Sequence, residues 1–241
     1  MSHVRGIRVD VVRRVEECPP LGPGDQAVVI DVLRATSAMA AALAHGVAGI
    51  RPVTEVDAAR ALKAEDPARL LVGERGNARL PGFDRGNSPL EWSQEDRGRD
   101  AVWTTTNGTR ALQQASGAGW LAAAAFVNRA RAAAWAEEHP DVRLVLVPAG
   151  EKGQESEEDW LCAGAVVDAL LEPELSEEAR RAHAAFQAVH ERLREAISAT
   201  RHGAALIAQG LEADVLWTAR LDACSVIGVR TRRDPLWLGP A

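Results

Sequence analysis

The sequence predicts an α/β fold, a three-layer α/β/α arrangement on a largely parallel mixed sheet with a helical C-terminal part. Three observations carry this reading. Over the first two-thirds of the chain, short apolar runs alternate with helix-like runs, the pattern of a sheet covered by helices. Residues 28–33 (VVIDVL) and 142–147 (VRLVLV) are almost wholly apolar, as strands buried on both faces need to be. Beyond Pro173 the pattern changes to helix, led by a long amphipathic stretch over residues 176–198.

Each element has its own signal. Residues 7–12 read as a strand added at a sheet edge, and 28–33 as the first buried strand. An alanine-rich helix follows over 36–45, with Gly46 in position for a C-terminal cap. After a strand over 49–53, Thr54 with Asp57 resembles a capping box that opens a helix to about residue 65. Strands are expected over 70–73 and 101–105, with a helix over 108–116. Residues 120–124 are a weaker strand, because alanine favours helix. Asn128 is expected to cap a helix reaching residue 138. The strand 142–147 is followed by a helix from Ser156 to about 171. Residues 74–99 have no period and are rich in Gly, Pro, Asn and charge; a loop that long in a compact domain points to function. In 176–198, Ala182, Phe186, Val189, Leu193 and Ala196 form one stripe, facing the core or a partner such as a second copy in a homodimer. The chain is expected to form one unit over residues 1–241, with a subdomain boundary near 173.

Composition narrows the function. The 241 residues carry 28 Lys and Arg against 34 Asp and Glu, a net charge of −6, which gives a nucleic-acid partner no electrostatic support. No run is long and apolar enough to span a membrane. The N-terminal stretch lacks the apolar core and cleavage site of a signal peptide. Cys18, Cys162 and Cys224 form neither a disulfide framework nor a zinc pattern, so a cytoplasmic setting is expected. Only Lys63 and Lys152 are lysines; the other basic residues are all arginine, which dilutes any single arginine as a signal.

In open α/β sheets ligands bind at the carboxyl ends of strands. Four expected strand ends carry polar residues: Asp31, Arg34, Thr36 and Ser37; Glu74 and Arg75; Thr104 to Thr109 (TTTNGT); and Gly150 with Glu157, Glu158 and Asp159. Neither His nor Cys recurs there, which argues against zinc or thiol chemistry. TTTNGT before a helix can bind phosphate through backbone N–H groups, or can simply cap the helix. Asp31 interrupts an apolar run. It can pair with Arg34, hold Mg²⁺ through oxygen, or attack phosphorus. The acidic group 157–159 can complement the helix dipole or bind metal. The small residues of 162–165 would allow close packing near a site, with Cys162 buried and inert. Residues 82–91 can be a plain turn or a substrate-lining loop. The histidines, His202 among them, read as surface or ordinary core residues.

Several of these strings occur together and in order: VVIDVLRATS (28–37), GER (73–75), GFDRGNSPLE (82–91), TTTNGT (104–109), FVN (126–128), PAG (148–150) and EDWLCAG (158–164). Together they resemble the 2-phosphosulfolactate phosphatase family over roughly residues 25–230. Residues 198–214 (SATRHGAALIAQGLEAD) resemble a family helix pair ending in an aspartate, whereas Ile227-Gly228 stands where the family usually shows Val-Pro. The resemblance implies a Mg²⁺-dependent hydrolase that converts 2-phospho-3-sulfolactate to 3-sulfolactate and phosphate, a step of coenzyme M biosynthesis in methanogens. The alternatives are a phosphatase for another phosphorylated hydroxy acid and a non-catalytic anion-binding module. Under the family reading Asp31, Arg75, Asp84 and Asn107 are expected to be catalytic. Mg²⁺ is expected on some of Asp31, Asp84, Glu158 and Asp159. Contacts to a small, strongly anionic substrate are expected from Arg34, Glu74, Arg85, Asn87, Ser88, Thr105, Thr106, Gly108, Thr109 and Asn128.

Overall fold

A computed structural model describes residues 6–232 and 236–241. The first five residues, which open the N-terminal stretch discussed above, lie outside the described residues. In chain order the strands are β1 (Arg8–Val11), β2 (Asp25–Ile30), β3 (Gly49–Pro52), β4 (Leu70–Arg75), β5 (Ala78–Arg79), β6 (Asp100–Thr104), β7 (Trp120–Ala124), β8 (Arg143–Pro148), β9 (Glu174–Leu175), β10 (Gly228–Arg232) and β11 (Trp237–Pro240). The helices are α1 (Ala35–Ala44), α2 (Val56–Glu65), α3 (Gly108–Gln114), α4 (Arg129–Glu137), α5 (Glu157–Asp168), α6 (Glu177–Gln187), α7 (Leu193–Ala199), α8 (Arg201–Ala208) and α9 (Glu212–Thr218). The α/β class and the mixed, mostly parallel sheet follow the expectation.

The sheet order is β5-β4-β6-β3-β11-β10-β7-β2-β8-β1-β9. It holds two parallel blocks, β4, β6 and β3 on one side and β7, β2, β8, β1 and β9 on the other, with the two residues of β5 antiparallel to β4 at the outer edge. The C-terminal hairpin β10–β11 joins them, antiparallel to β7 on one side and to β3 on the other. The last strands of the chain therefore sit in mid-sheet. β1 is not an edge strand either, because the two residues of β9, just after Pro173, pair outside it.

Burial explains the composition of the central elements. Ala27 to Ile30 of β2 are fully buried between strands and helices. Every residue of α1 from Ala35 to Leu43 is buried, so its alanines are what a helix enclosed on all sides requires. Gly46 ends it at φ 93°, the left-handed conformation that glycine adopts without strain. β7 is a strand despite three alanines, because its mid-sheet place overrides propensity.

Four local expectations need correction. α2 starts at Val56 with Glu55 as its N-cap, and no side chain caps it, so the Thr54 capping box does not form. Asn128 does not cap α4: its Oδ1 accepts from the Ala125 N–H (2.9 Å) and its Nδ2 donates to the Val226 carbonyl (2.9 Å). The helix expected over 176–198 is broken into α6 and α7 by a short 3-10 turn at His190–Arg192. Apolar spacing continues across that break, so periodicity alone cannot reveal it. Finally, the small residues of α5 serve a helix pair rather than a site. A Cβ on Gly164 would lie 2.1 Å from the Ala182 carbonyl oxygen on α6. The stripe residues Ala182, Phe186 and Leu193 are buried inside the fold, on the core side of the two alternatives.

Candidate active site

Four strand exits and α8 meet at one pocket, lined by Asp31, Leu33, Arg34, Glu74, Gly76, Asn77, Asn87, Thr105, Thr106, Asn107, Glu151, Lys152 and His202. Asp31 lies one residue beyond β2, at the tight turn into α1. Thr36 fixes that turn: its hydroxyl accepts from the Asp31 N–H (3.0 Å) and donates to the Asp31 carbonyl (2.9 Å). Ser37 donates to the Val32 carbonyl (2.8 Å). The Asp31 carboxylate accepts from the Ala35 N–H through Oδ1 (3.3 Å), and Oδ2 has no hydrogen bond among the described residues. Gly108 makes the close approach of α3 possible. A Cβ there would lie 2.6 Å from the Ala35 Cβ and 2.7 Å from Asp31 Oδ2. Gly108→Ala should therefore cost about 1–3 kcal/mol and displace Asp31; thermal unfolding and turnover measured on the same sample check both effects.

The pocket is electrostatically tense. Burial pushes the Asp31 carboxyl up to about 6, and the charges of Glu74 and Glu158 add to the rise, with the Ala35 N–H and His202 opposing it. Asp159 is pushed well above the carboxylate range, first by burial and then by Asp31 and Glu158. Burial would also raise Glu158, but the hydrogen bond and charge of His202 outweigh it and hold Glu158 low. His202 is correspondingly raised: burial lowers it, and Glu158, Glu151 and Asp31 more than compensate.

The expected site residues divide sharply. Asp31, Arg34, Glu74, Asn87, Thr105, Thr106 and Asn107 line the pocket. Asn87 is buried there with its Oδ1 unpaired. Thr109 packs behind as a partner for Thr105: each hydroxyl accepts from the other's N–H at 3.2 Å. The Thr106 N–H and hydroxyl both donate to Glu74 Oε1 (3.0 and 3.1 Å), so these amides are already satisfied within the protein. The open backbone cradle expected from TTTNGT is reduced accordingly.

Other expectations are not met at the pocket. Arg34 does not pair with Asp31. Its Nη1 meets Asp214 Oδ2 at 2.5 Å and its Nη2 donates to the Asn77 carbonyl (2.7 Å), with Arg34 and Asp214 both buried. Arg75 reaches the Thr54 carbonyl and the Thr104 hydroxyl, outside the lining. Asp84 accepts from the Leu71 N–H (2.7 Å) and pairs with Lys63 (3.3 Å), fastening the chain beside β4 away from the pocket. Arg85 pairs with the fully buried Asp96 (3.0 Å). Ser88 donates to Asp214 (2.6 Å), one step removed from the pocket through Arg34. Asn128 sits elsewhere, as described. Asp159 accepts from the Val32 N–H (2.8 Å) and the Gly150 N–H (3.3 Å), tying the exits of β2 and β8 together. Glu158 lies beside the pocket with its Oε1 on His202. The polar motif residues outside the lining have a common reason: a polar string marks an irregular segment, and such a segment needs its own internal hydrogen bonds.

Sequence reasoning missed Asn77, Glu151, Lys152, His202 and Asp214. Glu151 and Lys152 directly follow the PAG string, and His202 and Asp214 lie in the 198–214 stretch that carried a resemblance, so a signal was present for these four; Asn77 lies in none of the strings.

The profile of the 2-phosphosulpholactate phosphatase family matches residues 13–233 of the chain. The chain belongs to the 2-phosphosulfolactate phosphatase family. Among its relatives, a probable 2-phosphosulfolactate phosphatase of Thermotoga petrophila is 39% identical over 208 residues, covering 86% of this chain and 88% of the relative. One from Carboxydothermus hydrogenoformans is 39% identical over 201 residues, 83% of this chain and 84% of its own. A third, from Synechococcus sp. RCC307, is 37% identical over 234 residues, 92% of this chain and 95% of its own. The chain is thus a member of a family of phosphoric monoester hydrolases, and the pocket shared by β2, β4, β6, the turn after β8 and α8 is this phosphatase family member's candidate active site. No helix among the described residues is long and apolar enough to cross a membrane.

Proposed function

We propose that the chain hydrolyses 2-phospho-3-sulfolactate to 3-sulfolactate and phosphate with Mg²⁺ as cofactor, the step that in methanogens belongs to coenzyme M biosynthesis. The observation that carries this reading is the buried Asp31 carboxylate at a strand exit. It lines a pocket with Glu74, Thr105 and Asn107, and one of its oxygens takes no hydrogen bond among the described residues. A substrate that carries phosphate, sulfonate and carboxylate groups cannot enter beside Asp31, Glu74 and Glu151 unless that charge is offset. Arg34 is already matched by Asp214, which leaves Lys152 and His202 as cations in the lining.

A hard divalent cation answers that need. Mg²⁺ is ordinarily held by one or two carboxylates together with substrate phosphate and water, and Asp31 with Glu74 beside it supplies such donors. When bound, the ion would supply charge neutralisation at the phosphoryl oxygens. The protein's own groups would orient the substrate: Asn107, Thr105 and Lys152 toward the phosphate, Asn87 and Arg34 deeper in the pocket. The unpaired cysteines, Cys18, Cys162 and Cys224, fit a cytoplasmic setting.

Phosphate release from 2-phosphosulfolactate, measured beside a panel of other phosphorylated hydroxy acids, tests the substrate. The sulfonated compound should give the highest kcat/KM. A chelator should lower turnover by at least about 100-fold and added Mg²⁺ should restore it. Turnover indifferent to chelation would remove the metal from the reading.

A further inference from the structure

His202 takes no part in the motif-based reading, yet it forms a wall of the pocket. It enters from α8, in the C-terminal part of the chain, and its side chain is only 12% exposed. Its Nδ1 lies 3.2 Å from Oε1 of the buried Glu158. Its Nε2 has no hydrogen-bond partner among the described residues, and the ring shares the lining with Asp31, Thr105 and Asn107. A carboxylate on one imidazole nitrogen fixes the ring's orientation and leaves the other nitrogen to exchange a proton with whatever occupies the pocket.

We propose that His202 is the general acid of the reaction, held in place by Glu158. The inference rests on the phosphomonoesterase reading above. As the bond between phosphorus and the ester oxygen breaks, its electron pair stays on that oxygen, which takes the proton from Nε2 and leaves as the alcohol. The oxygen of water bonds to phosphorus, and the proton that this water loses restores the imidazolium through solvent. The sum is one ester and one water converted to one alcohol and one phosphate. The chemistry calls for such a group, because the leaving alkoxide of a 2-hydroxy acid is a poor leaving group unless it is protonated. The groups around the ring suit the role: Glu158 from α5 fixes Nδ1, and Glu151 from the turn after β8 and Asp31 from the exit of β2 share the lining with the ring. Arg201 on the same helix is itself paired with Glu151 at 2.5 Å.

The test is a leaving-group series, in which phosphorylated 2-hydroxy acids carry 3-substituents that make the departing alcohol progressively more acidic. Wild type and His202→Asn are compared under saturating Mg²⁺. An acid catalyst flattens the dependence of kcat on alcohol acidity, so wild type should show a shallow slope and the variant a steep one. The loss should be about 10²–10⁴-fold for the least acidic alcohol and should shrink toward the most acidic. Parallel slopes, or no loss at all, overturn the proposal, because a merely structural histidine would lower every member alike. Wild type inactive on every member overturns the phosphatase reading and this inference with it. Glu158→Gln, which keeps a hydrogen-bonding partner for the ring while removing the charge, should steepen the slope in the same direction. It supplies the comparison if His202→Asn fails to fold.

Discussion

Replacing Asp31 by Asn should lower phosphate release by about 10²–10⁴-fold while making the metal-free protein more stable at pH 8. The two effects share one cause. Asp31 is buried beside two other carboxylates, and its pKa rises from 3.8 to about 6 on folding. For an acid raised in the folded state, the fold binds the proton more tightly than the unfolded chain does. The contribution of Asp31 to stability is therefore greatest below pH 4, falls as pH rises through the window from 3.8 to about 6, and stays low above it. At 1.36 kcal/mol per unit, the ionised carboxylate costs at most about 3 kcal/mol at pH 8. Asn keeps an oxygen for the Ala35 N–H and removes the charge. Urea unfolding of metal-free wild type and variant should give a stability gap that is near zero at pH 4 and favours the variant by about 1–3 kcal/mol at pH 8. Mg²⁺ should stabilise wild type and leave the variant unmoved, because a ligand stabilises only the state that binds it. A gap that does not change with pH would sink the electrostatic account of this site.

What could be read from the sequence was what depends on neighbours along the chain. The strand exits at Asp31, Glu74 and Thr105 were legible because an apolar run that stops at a polar residue is a local event. The enclosed helix α1 announced itself through its alanines. The hairpin β10–β11 did not: its first strand is largely half-buried or exposed in pattern, and its place in mid-sheet depends on partners far away in the chain, Ala122, Ala123 and Ile50. The same limit governs the site. Arg75, Asp84 and Arg85 sit in dense polar strings and looked like ligand residues, yet each is satisfied by a backbone carbonyl, an amide or a carboxylate outside the pocket. His202 looked ordinary because the carboxylate that gives it a role, Glu158, lies 44 residues away. The counter-ion of Arg34, Asp214, is not legible either, because it lies 180 residues away.

That counter-ion is the basis of the largest expected effect on stability. Asp214 on α9 accepts from Arg34 (2.5 Å) and from Ser88 (2.6 Å), while Arg34 also holds the Asn77 carbonyl. One buried pair therefore joins the start of α1, the β4–β5 turn, the loop after β5 and the C-terminal helices around the pocket. Asp214→Leu leaves a buried guanidinium without its charge partner and should cost about 3–5 kcal/mol. For a chain of this size that corresponds to a fall in Tm of roughly 6–20 °C. Replacing both partners, Arg34→Met with Asp214→Leu, removes the uncompensated charge and should recover most of the lost stability, since a buried ion pair is often no more stabilising than apolar residues of similar volume. Activity should not return with it. Without the pair the Asn77 carbonyl loses the Arg34 donor and Ser88 loses its acceptor, so the β4–β5 turn and the loop after β5 lose a tie beside the pocket, and a displacement of about 1 Å in positioning groups costs on the order of 100-fold in rate. The double variant should thus melt near wild type and still show kcat/KM about 100-fold down. If stability and kcat/KM recover together, Arg34 and Asp214 are a packing unit only, and the pocket's geometry does not depend on them.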